Sequence, residues 1–179
     1  MPTEISGSTG VNKIQDGTVV NADINSSAAI AGSKISGSFG KVLQAVTASF
    51  SGGAFTTTSH DFVDTDITLA ITPSATSSKV LALVSSHGSN EIAGRTMYYT
   101  LYRGSTNLGN GDAGMGVFFS DSNGSTRVRA SLAINLLDSP NTTSATTYTV
   151  KCRSASNGSA VELPPTGGRS FITLMEIAG

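Results

Sequence analysis

From residue 41 to the end of the chain, apolar and polar residues alternate with a period of two, as they do in β-strands that bury one face. The clearest case is 126–137, where apolar side chains occupy every second position from Val128 to Leu136 and arginine or small polar residues fill most of the others. A second alternating segment places three side chains on one inward face: Tyr148, Val150 and Cys152. The pattern therefore predicts strands with a buried and a solvated side.

Strands of this kind recur at short intervals with turn residues between them. The predicted strands are 41–50, 66–72, 78–86, 96–103, 113–119, 126–137, 145–154 and 169–178, with weaker ones at 54–58 and 159–163. The predicted turns include Gly88-Ser89-Asn90, Asn123-Gly124 and Pro164-Pro165. No helical segment of useful length is expected after residue 40. Many short, evenly spaced strands favour an all-β fold, a jelly-roll-like antiparallel β-sandwich over residues 41–179.

Two of the predicted strands are apolar on both faces. The segment Val80 to Val84 has no polar position, and Phe171 to Ile177 is apolar at five of its seven positions. We expect these strands to lie centrally, between the core and a contact with another subunit, because a monomer would otherwise expose a hydrophobic patch. The pattern thus predicts oligomerisation.

The N-terminal segment follows a different pattern. Between residues 12 and 37, isoleucine or valine recurs every five or six residues among small polar residues, a period that fits neither a helix nor a strand. One copy has too little apolar surface to offset its ordering entropy, so several chains wound together are expected. The residues expected on the shared axis are Ile14, Ile24, Ile30 and Ile35. We therefore predict an arm (1–11), an oligomeric stalk (12–40) and the sandwich. A disordered linker is the alternative for the stalk.

Composition narrows the functional classes. The chain of 179 residues carries 11 basic and 12 acidic side chains, and its polar surface consists mainly of 27 serines and 22 threonines. With a net charge of −1 and no basic cluster, we expect no nucleic-acid partner and no membrane insertion. The single cysteine excludes an intrachain disulfide. The N-terminus MPTEISGSTG has no signal-peptide pattern, which favours assembly in a cytoplasm.

The most interesting surface candidates surround the fourth predicted strand. They are Arg95, Tyr98, Tyr102 and Arg103. Tyr98 and Tyr102 share one strand face, and tyrosines beside arginines suit a polysaccharide or protein surface through ring stacking and hydrogen bonds. The alternative is that these tyrosines are buried at a subunit contact. Phe118-Phe119 is interpreted as core and interface.

Candidates for chemistry are few. His60 and His87 occupy loop-like contexts without a nucleophile motif, so no catalytic residue is assigned. One cysteine and two distant histidines are a poor zinc ligand set, and neither a metal nor a cofactor is predicted. The three carboxylates Asp61, Asp64 and Asp66 are interpreted as turn-capping residues, with a Ca²⁺ site left open as the alternative.

Four phrases of the chain resemble the tail-fibre and virion appendage proteins of marine bacteriophages. They are KIQDGTVVNADINSSAAIAGSKISG, SKVLALVSS, LLDSP followed by TTSATTYTV, and FITLMEIAG. The resemblance implies a homotrimer with a pseudo-repetitive stalk and a C-terminal sandwich, located in the virion. It also implies attachment to other tail or capsid proteins through the N-terminal region and adhesion to the host surface, without enzymatic activity.

Two other functions remain open at this stage. A capsid decoration or head-fibre protein would use the same sandwich to brace or coat the shell. A polysaccharide depolymerase would need two carboxylates close together in a groove, and the acidic residues here are few and mostly next to turns.

Overall fold

A computed structural model describes residues 41–90, 95–119, 128–155 and 160–179. The chain divides into two units, 1–37 and 38–179, and all described residues belong to the second. The predicted arm and stalk, with Ile14, Ile24, Ile30 and Ile35, lie outside the described residues.

The described residues form eleven strands. They are β1 (Val42–Ser51), β2 (Thr56–Thr57), β3 (Val63–Ile71), β4 (Lys79–Asn90), β5 (Thr96–Arg103), β6 (Thr106–Asn107), β7 (Gly116–Phe119), β8 (Val128–Asp138), β9 (Thr146–Ser154), β10 (Val161–Glu162) and β11 (Arg169–Ile177). A single 3-10 turn, Gly111–Ala113, precedes β7. This part of the chain contains no α-helix, as predicted, and so no helix that is long and apolar enough to cross a membrane.

All strand pairs are antiparallel and form two sheets. In sheet 1 the long strands follow the order β1-β11-β4-β8, and the short pair β10-β2 continues beside the last residues of β4. In sheet 2 the order is β3-β9-β5, and the far edge of β5 pairs with β7 at its start and β6 at its end. The predicted antiparallel β-sandwich is confirmed.

The core lies between the sheets and is built by strand alternation. Every second side chain of each long strand points inward, and sixteen buried hydrophobic residues from both sheets form one cluster. The inward face predicted for Tyr148, Val150 and Cys152 is confirmed, since all three are fully buried. On the face predicted from Val128 to Leu136, Leu132 and Ile134 are nearly fully buried, whereas Val128 at the start of β8 is exposed. The central position predicted for 78–86 is confirmed, because β4 pairs with β11 on one side and β8 on the other.

A buried carboxylate lies near the end of β11 in sheet 1. The carboxylate of Glu176 is fully buried and accepts hydrogen bonds from the backbone N–H of Ser74 at 2.7 Å, the Ser74 hydroxyl at 2.6 Å and Nε2 of Gln44 at 2.6 Å. Burial by itself raises the pKa of this carboxyl, but the donors outweigh burial and lower the pKa to about 2. Glu176 therefore links β11, β1 and the loop after β3 as an ionised group.

The predicted turn at Gly88-Ser89-Asn90 is wrong. Strand β4 continues to Asn90, and Gly88 pairs with Ala130 of β8. The glycine serves close packing instead, because a Cβ at Gly88 would lie 2.3 Å from Cε of the fully buried Met97. His87 is consequently a half-buried strand residue, and its predicted loop context is also wrong.

Candidate functional site

The candidate site lies on the outer face of sheet 2, where aromatic side chains alternate with buried ones along β5. Met97 and Leu101 are fully buried, so the even-numbered residues Tyr98 and Tyr102 point outward. Both tyrosines are half-buried. The shared face predicted for this pair is therefore present. It is the outer side of the sheet, although Thr100 between the two tyrosines is fully buried there and donates to Oδ1 of Asn107.

The neighbouring strand β9 places two cations against these rings. Tyr98 is opposite Arg153 in the register, and the guanidinium carbon of Arg153 lies 4.4 Å from the Tyr98 ring centroid. Nζ of Lys151 lies 4.2 Å from the centroid of Tyr102. The Phe62 ring lies next to Tyr102 and Arg153. Its centroid is 6.3 Å from the Tyr102 ring centroid and 5.5 Å from the guanidinium carbon of Arg153. We call these five residues the aromatic–cation ladder.

Hydrogen bonds hold the cations of the ladder in place. Arg153 donates from Nε and Nη2 to the carbonyl of Asp112 at 2.9 and 2.6 Å, and from Nη1 to the carbonyl of His60 at 3.2 Å. Lys151 forms a 2.7 Å ion pair with Asp64. The guanidinium of Arg153 is thus held by two backbone carbonyls, and the charge of Lys151 is paired with a carboxylate.

Strand β7 extends this face with apolar side chains. Val117 is opposite Tyr98 and Phe119 is opposite Thr96, and their exposed fractions are 57% and 62%. An exposed phenyl ring beside fixed tyrosines offers a stacking surface for the apolar face of a sugar ring or of a protein side chain. The ladder together with Val117 and Phe119 is called the binding platform.

The four predicted contact residues do not form one cluster. Arg103 lies on the opposite face of β5 from Tyr98 and Tyr102, and its Nη1 donates to Asp138 of sheet 1 at 2.7 Å. Arg95 is half-buried just before β5, and its carbonyl accepts a hydrogen bond from Nδ2 of Asn90 at 2.7 Å. Two tyrosines of the predicted set thus belong to the platform, while Arg103 joins the sheets.

Sequence reasoning missed most of the platform. The residues concerned are Phe62, Val117, Phe119, Lys151 and Arg153. The alternation in 147–153 did place Lys151 and Arg153 outward, but their position over the tyrosines depends on the register between β5 and β9. Phe118 packs against the core as expected, whereas Phe119 is exposed.

The remaining chemical candidates occupy structural positions. Cys152 is fully buried, and burial raises the pKa of its thiol to about 12. Of the three carboxylates interpreted as turn-capping residues, only Asp61 lies in the turn before β3, where its N–H donates to the hydroxyl of Ser59. For Asp64 and Asp66 the interpretation is wrong, because both lie within β3 and Asp64 pairs with Lys151. Among the residues that the structure describes, no three His, Cys, Asp or Glu side chains converge on a possible metal position.

The fold and the platform define an all-β sandwich with an exposed aromatic face. Neither protein-family models nor curated proteins give a match to the chain. Its function is therefore inferred from the geometry of the described residues and from the resemblance of its phrases.

Proposed function

We propose that this chain is a trimeric structural appendage of a bacteriophage particle, a tail fibre whose sandwich attaches to the host surface. In this proposal the N-terminal region joins the tail or capsid, the sandwich faces outward, and no reaction is catalysed. The resemblance to phage appendage proteins supports the assignment, and the platform is the observation on which adhesion rests.

We infer further that the sandwich is a jelly roll. Eight strands are longer than two residues, and they pair as the first with the last (β1-β11), the second with the seventh (β3-β9), the third with the sixth (β4-β8) and the fourth with the fifth (β5-β7). This nested pairing is what results when one long antiparallel hairpin wraps into two sheets. Jelly rolls serve in viral capsids and lectins, an analogy of fold that is compatible with adhesion.

The chemistry of the platform favours an uncharged or weakly charged ligand. Lys151 is paired with the Asp64 carboxylate, and Arg153 donates to the backbone carbonyls of Asp112 and His60, whereas the Phe119 ring is largely exposed. Rings stack on the apolar faces of sugars, and tyrosine hydroxyls supply hydrogen bonds at the edge. A shallow contact of this kind binds weakly at one site, so three copies on a particle supply the useful avidity.

The adhesive function is tested with the full-length chain on an array of bacterial surface polysaccharides and on host cells. Phe119→Ser should reduce binding at least tenfold, whereas Phe119→Tyr keeps the ring and should keep the binding. Neither change should move the melting temperature by more than a few degrees, because the side chain is exposed. Equal polysaccharide binding by wild type and Phe119→Ser would exclude the platform as the adhesive surface.

Localisation in particles distinguishes the two structural assignments. Cryo-electron microscopy should place the sandwich at the tip of a tail fibre. Density on the capsid shell would instead support the decoration or head-fibre function.

A further inference from the structure

The outer face of sheet 1 carries a continuous aliphatic surface. The register aligns Ala45, Met175, Leu81 and Leu137 in one row across all four long strands. These side chains point away from the core, because their neighbours Val80, Ala82, Leu174 and Glu176 are the buried ones. We define the aliphatic patch as this row together with four adjacent residues: Val42, Leu43, Leu83 and Ile177.

The patch is substantially open to solvent on a single copy. Val42, Leu43 and Leu137 have exposed fractions of 50%, 41% and 51%. A contiguous apolar surface of this kind marks an interaction site more often than isolated exposed residues do. The patch includes both strands that were predicted from their two-sided apolar pattern to meet another subunit.

Charge indicates what covers the patch. All charged side chains among the described outward residues of sheet 1 are basic, namely Lys79, Arg129 and Arg169. The exposed carboxylates of the described residues lie instead with sheet 2: Asp61, Asp64, Asp66 and Asp112, of which Asp64 is paired with Lys151. If two copies packed patch to patch, the basic residues of both would meet and repel each other. If sheet 1 of one copy packed against the β3 side of a second copy, basic residues would meet carboxylates.

The complementary charges also lie at the same end of the sandwich. Arg169 is opposite Ser51 at the end of β1, and Arg129 is opposite Ser89 near the end of β4. Asp66 lines a cleft with Ser51 at that end. Copies standing side by side in the same orientation therefore align the arginines of one with Asp66 of the next.

We propose that the aliphatic patch of one copy packs against the β3 edge of a second copy of this chain, head to tail, so that the copies close into a ring. This inference rests on the proposed oligomeric appendage and names its subunit contact. Forty residues precede Lys41 and join β1 next to Val42, at the patch, so copies linked through that region would have their patches at high local concentration.

The contact is tested by native mass spectrometry and light scattering of the full-length chain. The wild type should have the mass of three copies at micromolar concentration. Leu137→Asp should weaken association at least tenfold, whereas the matched control Val117→Asp, an equally exposed aliphatic residue on sheet 2, should leave the mass unchanged. β-type circular dichroism confirms folding of both variants. An unchanged dissociation constant for Leu137→Asp, or equal weakening of association in both variants, overturns the proposal.

Charge reversal tests the partner surface. Asp66→Lys should weaken association, and adding Arg129→Glu and Arg169→Glu in the same chain should restore it. If the triple variant does not regain the wild-type mass, the β3 edge is not the surface that contacts the patch.

Binding to the polysaccharide array separates this proposal from the proposed function. An oligomer that dissociates on Leu137→Asp but binds no polysaccharide supports the contact and contradicts the adhesive function. An oligomer that binds polysaccharide and keeps its mass with Leu137→Asp contradicts only the contact.

Discussion

Arg103 in sheet 2 donates from Nη1 to both carboxylate oxygens of Asp138 in sheet 1, at 2.7 and 2.8 Å. The Tyr148 hydroxyl donates to the same carboxylate at 2.7 Å, and burial followed by this hydrogen bond raises the pKa of the phenol well above its ordinary value. The two sheets are therefore joined at one end of the sandwich by a largely buried ionic contact.

The first prediction follows from this contact. Arg103→Ala should lower the free energy of unfolding by roughly 1.5–3 kcal/mol, because Asp138 loses a charged hydrogen-bond donor in a mostly buried position. Denaturant unfolding measures the change. The control Lys41→Ala removes an exposed basic side chain and should stay within about 0.5 kcal/mol of wild type. If Arg103→Ala leaves stability unchanged and abolishes adsorption, the side chain is a receptor contact after all.

The second prediction concerns acid stability. The folded-state pKa of Glu176 is about 2, below the ordinary value of 4.5, so its ionised form stabilises the fold. This contribution is complete above pH 4.5 and is lost as the pH falls toward 2. Glu176→Gln should reduce stability at neutral pH by roughly 1.5–3 kcal/mol. It should also flatten the decline between pH 4.5 and 2, measured by thermal unfolding against pH. A variant that keeps the wild-type slope would assign the decline to other carboxylates.

The third prediction concerns the loop that supports the ladder. Gly114 has a φ of 64°, and a Cβ there would lie 2.5 Å from the Tyr99 carbonyl oxygen. Gly111 also has a positive φ, 44°, but a Cβ there meets no atom within 4 Å. Gly111→Ala should therefore cost about 1–2 kcal/mol from backbone strain alone, and Gly114→Ala should cost roughly 1–3 kcal/mol more. Equal losses for both variants, measured by denaturant unfolding, would contradict the close approach to Tyr99.

Much of the sandwich follows from local pattern. The eight longer strands begin and end close to their predicted bounds, since alternation reports which face each strand buries. Where the prediction fails, the cause is tertiary. Gly88 resembles a turn residue, but it lies in β4, paired with Ala130 of β8. A glycine is needed there because Met97 occupies the space that a side chain would fill.

The candidate site likewise depends partly on local alternation and partly on tertiary contacts. Alternation correctly placed Tyr98 and Tyr102 on one face, and the same rule puts Arg103 on the other, although proximity in sequence suggested a cluster. Lys151 and Arg153 join the tyrosines only through the pairing of β5 with β9. A pairing between strands separated by some fifty residues leaves no local signal in the chain.

The last prediction concerns the stalk, whose isoleucines lie outside the described residues. Replacing Ile24, Ile30 and Ile35 with serine removes apolar surface that only an assembly of several chains buries, so association of the full-length chain should weaken. The sandwich should remain folded, since the sixteen buried hydrophobic residues of its core all lie in β3 or later in the chain. Native mass spectrometry reports the first effect, and β-type circular dichroism with thermal unfolding reports the second. The matched control replaces three alanines of the same segment, Ala22, Ala28 and Ala31, with serine and should keep the wild-type mass. If the isoleucine variant loses the circular dichroism of the sandwich as well, the boundary near Phe39 is wrong and the two regions share one core.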